Sequence, residues 1–170
     1  FLEREIVAAG LPDTLSLRFA ANRYGPYADQ LRHLLDSLDG SYLHAAVRLA
    51  DASPLDTITF DDARRERVAL FLRTEASEYT DALERTSRRI EGFESPYGME
   101  LLATVDWLLS REGCRPDVAD LRAGLTEWPG GENAGARKLQ IFDERALQLA
   151  MTRLLETEPP KAPTKEFSFS

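Results

Sequence analysis

Glu91, Glu94 and Glu100 fall within one ten-residue span. Carboxylates set close together can do acid–base work if their environments push their pKa values apart. Glu94 and Glu100 are therefore the candidates for a hydrolase-like pair. The plainer reading is a solvated acidic rim, and no nucleophile or base elsewhere supports the sharper one. Gly130-Gly131-Glu132-Asn133-Ala134-Gly135, followed by Arg137-Lys138, resembles a phosphate cradle in composition only. No Ser or Thr follows the lysine and no clear strand precedes the glycines, so a flexible loop is expected there. Arg137-Lys138 could equally contact phosphate or bridge to nearby acids.

His33 and His44 are the two histidines and Cys114 the single cysteine, too few for a His or Cys metal cage or an internal disulfide. His33, beside a leucine stripe, is expected half-buried and hydrogen-bonded; Cys114 is expected as a small packed side chain. There is no Gly-x-Ser-x-Gly elbow. No catalytic residue, metal or cofactor is assigned. Trp107 and Trp128 read as core or core-edge residues.

Charge narrows the remaining classes. The 170 residues carry a net charge of −8, with 43% hydrophobic and 29% charged residues. Such a chain folds, but it repels a phosphate backbone wherever the acids concentrate. Direct nucleic-acid binding is disfavoured and a basic partner favoured. No apolar run approaches the roughly 20 residues of a membrane span, and no signal peptide is evident. A reducing cytoplasm fits the lone cysteine. Phe1 already stands inside an apolar pattern, so a further domain is expected upstream.

These residues must be positioned by helices. A helix ends near residue 9, with Gly10 as the stop. Residues 15–19 alternate as a strand, and Asn22 to Tyr27 turns the chain, with Pro26 at the first position of a helix running to Leu38. Leu31, Leu34, Leu35 and Leu38 form that helix's stripe. Residues 41–43 and 55–60 read as short strands, with a turn at Ser53-Pro54, and could join 15–19 in one small, wing-like sheet. Residues 61–90 read as one long helix. A helix follows Tyr97, a short one opens at Pro116-Asp117, and a last one runs from Asp143 to Leu155. Residues 158–170 are a Pro-rich arm, whose Phe167-Ser168-Phe169-Ser170 alternation could add to a sheet edge, with a frayed end as the default. The expected fold is mainly α with a small β-sheet (α+β), a multi-helix domain over residues 1–157 that could be winged-helix-like.

Two stretches add a resemblance. Residues 17–35, around Tyr24-Gly25-Pro26-Tyr27, and residues 91–105, around Glu91-Gly92-Phe93-Glu94-Ser95-Pro96-Tyr97-Gly98, resemble signatures of the C-terminal domain of DarG antitoxins. Trp128, Arg137-Lys138 and Phe142 look like that family's later landmarks. The Tyr-Gly-Pro segment also resembles SocA-like (Panacea) antitoxin domains, which are largely helical with a small sheet. The resemblance implies a domain that binds DarT, a toxin that uses NAD to ADP-ribosylate single-stranded DNA. It also implies an upstream macrodomain that removes ADP-ribose from DNA.

The leading expectation is thus a non-catalytic antitoxin domain, whose acids stand in for phosphates and whose aromatics stand in for bases. Its toxin contacts are expected at Tyr24, Tyr27, Asp29, Glu91, Phe93, Glu94, Tyr97 and Glu100. Gly25, Pro26, Gly92, Pro96 and Gly98 shape the turns, and the four aromatics either pack beneath those turns or face the partner. The alternative is a winged-helix-like autorepressor module reading nucleic acid through Arg85, Arg88, Arg89, Arg137 and Lys138.

Overall fold

The computed structural model describes residues 1–51 and 56–157, apart from the side chains of Ala50 and Glu132. Its centre is helix α5, Pro96–Ser110. Ser95 caps it, its hydroxyl accepting from the Gly98 N–H at 3.0 Å, and Pro96 opens the first turn, where a missing N–H costs nothing. Leu101, Leu102, Val105 and Leu108 are buried along α5. Helix α8 (Glu144–Glu156) packs on that face with Leu147, Ala150, Met151 and Leu154. Its N-cap is Asp143, as expected, accepting from the Ala146 N–H at 2.7 Å. Helix α6 (Val118–Thr126), capped by Asp117, adds Leu121 and Leu125; helix α7 (Glu132–Ile141) packs against α6. Trp128 and Phe142 complete this core. Each buried Leu, Val, Met or Phe side chain here contributes about 1.5–3 kcal/mol by leaving water.

Helix α1 (Leu2–Ala8) packs on α4 (Thr80–Ile90). The contact holds a fully buried carboxylate: Glu5 accepts from Arg89 at 2.8 Å and from Arg85 at 2.7 Å. Arg89 also donates to the Thr157 carbonyl at the end of α8, so one guanidinium ties three helices.

Several expectations are corrected. Residues 15–19 form no strand. The Asp13 carboxylate accepts from the N–H groups of Leu15 (3.2 Å) and Ser16 (3.0 Å), with Ser16 at φ +48°, and this local turn outcompetes sheet pairing. Pairing begins instead at β1 (Ala20–Asn22), antiparallel to β2 (Gly25–Tyr27). Pro26 therefore lies in a strand and not at a helix start. It sits opposite Ala21, next to the closing Asn22–Gly25 pair of a two-residue hairpin, where no ladder N–H is required. Helix α2 (Gln30–Leu38) starts after Asp29, which occupies the N-cap position without a side-chain cap bond.

The second hairpin, β3 (Leu43–His44) with β4 (Thr59–Phe60), pairs the ends of the expected 41–43 and 55–60 segments, but as a separate sheet that residues 15–19 do not join. The expected turn at Ser53-Pro54 and the 158–170 arm lie outside the described residues. The long helix expected over 61–90 is divided into α3 (Arg65–Thr74) and α4 by a 3-10 turn at Ser77–Tyr79. Neither Gly nor Pro marks the break. Ala76 is buried there, and the Tyr79 hydroxyl reaches the Pro12 carbonyl at 3.2 Å, so the two halves serve different neighbours. The glycine-rich segment is only half a loop: α7 begins within it, behind Gly131 at φ +107°. Gly135 lies against the Leu125 carbonyl so closely that any Cβ would collide, which makes it a packing residue. The described residues form a mainly α domain with two small antiparallel sheets, an α+β fold. No helix among the described residues is long and apolar enough to cross a membrane.

Candidate functional site

Helix α7 brings the two stretches together. Its Lys138 is fully buried, with Nζ 2.8 Å from Glu100 Oε1 and 3.2 Å from Thr104 Oγ1. Glu100 and Thr104 stand four residues apart on one face of α5, which is why one ammonium reaches both. The same ammonium lies 5.0 Å from the Trp128 ring centroid and 5.6 Å from that of Phe142. Arg137 grips Glu100 with both terminal nitrogens, at 2.5 and 3.2 Å, and lies 5.0 Å over the Tyr24 ring. Two cations thus share one carboxylate, and the aromatic faces take up part of the excess positive charge. Burial pushes the Lys138 pKa below its ordinary value, while Glu100 pulls it back up.

This cluster joins both stretches. Trp128 Nε1 donates to the Asn22 carbonyl at 3.0 Å, fixing the β1–β2 hairpin beside α7. Gly25, at φ +122°, lets the hairpin lie against Thr104. On the other side, Phe142 meets Tyr97 edge-on at 5.6 Å, and the Tyr97 hydroxyl donates to the Ile141 carbonyl at 3.0 Å. Tyr24 and Tyr97 keep 49% and 46% of their surface exposed, so each is anchored at one side and open at the other.

The 91–98 turn is held from α8. Arg153 donates to the carbonyls of Arg88 (2.9 Å) and Glu91 (2.7 Å), with its guanidinium 5.8 Å over the Phe93 ring. Gly92 takes φ +82°. A Cβ on Gly98 would stand 2.8 Å from the Phe93 carbonyl oxygen, so the turn folds back tightly onto α5. Phe93, Tyr97, Leu149 and Arg153 line a groove of about 460 Å³ between the turn and α8.

Of the expected contact residues, Glu91 and Glu94 are exposed and Phe93 is half-buried under Arg153. Tyr24, Tyr97 and Glu100 converge around α7. Glu100 does not face outward: its side chain is 10% exposed and engaged by two cations, which also removes it as an acid–base partner for Glu94. Tyr27 and Asp29 are exposed where β2 runs toward α2; among the described residues no side-chain hydrogen bond links them to the cluster. Lys138, Thr104 and Phe142 were not expected to bind these turns together. Their signal was present as spacing, but nothing local announces their convergence.

The five basic residues named for the autorepressor alternative do not gather on one exposed face; of them Arg88 alone is exposed. Arg89 and Lys138 are buried, and Arg85, Arg89, Arg137 and Lys138 all pair with Glu5 or Glu100. His33 is exposed, contrary to expectation. Cys114 is half-buried, and burial together with Asp120, Glu112 and Asp117 pushes its thiol pKa up, which fits a packed side chain.

No protein-family model matches the chain. It is 33% identical over 152 residues to proteins named DNA ADP-ribosyl glycohydrolase from Mycobacterium bovis (BCG) and Mycobacterium tuberculosis, an alignment covering 86% of this chain and 40% of each relative. A protein of the same name from Thermus aquaticus is 34% identical over 159 residues, covering 88% of this chain and 41% of the relative. The chain therefore spans about two fifths of the length of the curated relatives it matches.

Proposed function

We propose that this chain is the toxin-binding part of an antitoxin, and that it neutralises a DarT-like DNA ADP-ribosyltransferase by occupying the groove meant for single-stranded DNA. The observation that carries the reading is the joint anchoring of the two signature stretches on α7, which leaves Tyr24 and Tyr97 half-exposed on either side of it. A single-strand-binding groove offers cations for the backbone and stacking surfaces for bases. Glu91 and Glu94 would replace phosphates there, and Tyr24, Tyr97 and the open edge of Phe93 would replace bases. Tyr27 and Asp29 would extend the contact along the hairpin. Glu100 acts from within, by holding Arg137 under Tyr24.

On this reading the chain is not itself the enzyme. The glycohydrolase activity for which the relatives are named would reside in a macrodomain upstream of the matched region. The similarity to those relatives supports the assignment because it covers 86 to 88% of this chain.

The test is to titrate the purified chain against the toxin while following ADP-ribosylation of a single-stranded oligonucleotide. Stoichiometric inhibition, relieved by excess oligonucleotide, is expected. A ternary complex of toxin, oligonucleotide and chain would overturn mimicry and leave remote inhibition; absence of inhibition by the chain alone would overturn toxin binding.

A further inference from the structure

A second groove, among the described residues, is lined by no residue of either signature stretch. It holds about 800 Å³, with Leu38, Tyr42, Leu43 and Phe60 as one wall and α3 as the other. No residue of α3 is buried. Leu70 and Phe71 are 56% and 48% exposed, and Phe60 opposite them is 40% exposed. Large apolar side chains gathered on one concave face mark a contact surface.

The charges on α3 and on its C-cap residue, Glu75, say what covers it. Arg67 and Glu75 both line the groove, and neither side chain makes an ion pair or hydrogen bond among the described residues. They stand four residues before and four residues after Phe71, about 12 Å apart along the axis. Turning the helix end for end about Phe71 exchanges the two positions. An antiparallel copy of α3 would therefore set Arg67 against Glu75 twice, with Leu70 and Phe71 of each copy between the pairs. Such self-complementarity is what a two-fold interface requires.

We propose that the chain forms a symmetric dimer in which the α3 of each copy lies in the other's groove, centred on Phe71. The contact is independent of the toxin-facing residues proposed above. Leu70 and Phe71 are the most exposed large apolar side chains that each α3 brings, so the dimer is weak and reversible.

Sedimentation velocity on the 170-residue chain, from micromolar to submillimolar concentration, tests it. A monomer–dimer equilibrium is expected. Phe71→Glu, at an exposed position, should abolish the dimer while the circular dichroism stays unchanged. Arg67→Glu and Glu75→Arg should each weaken association about tenfold, since each change strikes both symmetric pairs. The double variant should restore it. A wild-type chain that stays monomeric throughout, a dimer indifferent to Phe71→Glu, or a double variant without rescue would overturn the proposal. So would a monomeric chain whose toxin affinity falls on Phe71→Glu, since the groove would then belong to the toxin.

Discussion

Lys138 Nζ lies 2.8 Å from Glu100 Oε1, and Glu100 is the only carboxylate that meets this buried ammonium among the described residues. The relation is unequal. Glu100 keeps two bonds from Arg137 if Lys138 is lost, whereas Lys138 has no other anion if Glu100 is lost.

Removing one partner of a buried pair costs about 3–5 kcal/mol when the other is left uncompensated. Glu100→Ala should therefore destabilise the domain by about 3 kcal/mol or more. Lys138→Met, which keeps an apolar stem between Trp128 and Phe142 and leaves Glu100 on Arg137, should cost less. Urea denaturation of both variants checks the order; a Lys138→Met variant weaker than Glu100→Ala would show that Arg137 does not hold Glu100 as described.

Gly98 is required by contact and not by backbone angle. Its missing Cβ would meet backbone atoms of Phe93 at 2.8 to 3.0 Å, which cannot move away as a flexible side chain could. Gly98→Ala should cost about 1–3 kcal/mol by overpacking and displace the 91–98 turn. Gly113 has φ +70° and open space within 4 Å of where a Cβ would stand, so it should lose only about 1 kcal/mol as Ala. Thermal melts of the pair separate the two causes, and toxin binding should fall only for Gly98→Ala.

What was legible in the sequence was what local chemistry decides. Asp143, Pro116-Asp117 and the glycine after α1 marked helix ends that the structure keeps. The turn at Asp13 is also written locally, but the alternation of Leu15, Leu17 and Phe19 masks it. The break between α3 and α4 carries no breaker residue and arises from what each half packs against. The site divides in the same way. The two turns were identifiable from their glycines, prolines and aromatics. The fate of Glu100 was not, because its partners lie 37 and 38 residues away on another helix.

Cys114 offers a pH test of its surroundings. Burial and the carboxylates of Asp120, Glu112 and Asp117 raise its thiol pKa, so less thiolate exists at neutral pH than for a free cysteine. Alkylation should be slow near pH 7.5 and accelerate through a midpoint above the ordinary thiol value. Mild unfolding in urea should bring the midpoint back down. An alkylation midpoint below the free-cysteine value would contradict the acidic, half-buried setting.

Glu91 and Glu94 are the exposed acids of the recognition turn, and neither side chain supports the fold through a hydrogen bond among the described residues. Glu91→Gln with Glu94→Gln should leave the melting temperature within about 1 °C, since surface changes of this kind stay within about 0.5 kcal/mol. Toxin binding should respond differently. Exposed charges act mainly by steering encounter, so the association rate should fall several-fold at low salt and the difference should shrink as salt screens the contact. Tyr97→Phe supplies the contrast: it keeps the ring on Phe142 but loses the bond to the Ile141 carbonyl, about 1 kcal/mol of stability. Its effect on binding should appear in dissociation. Surface plasmon resonance at two salt concentrations resolves both rates. A double glutamine variant that associates as fast as the wild type at low salt would remove these two acids from the toxin-facing edge.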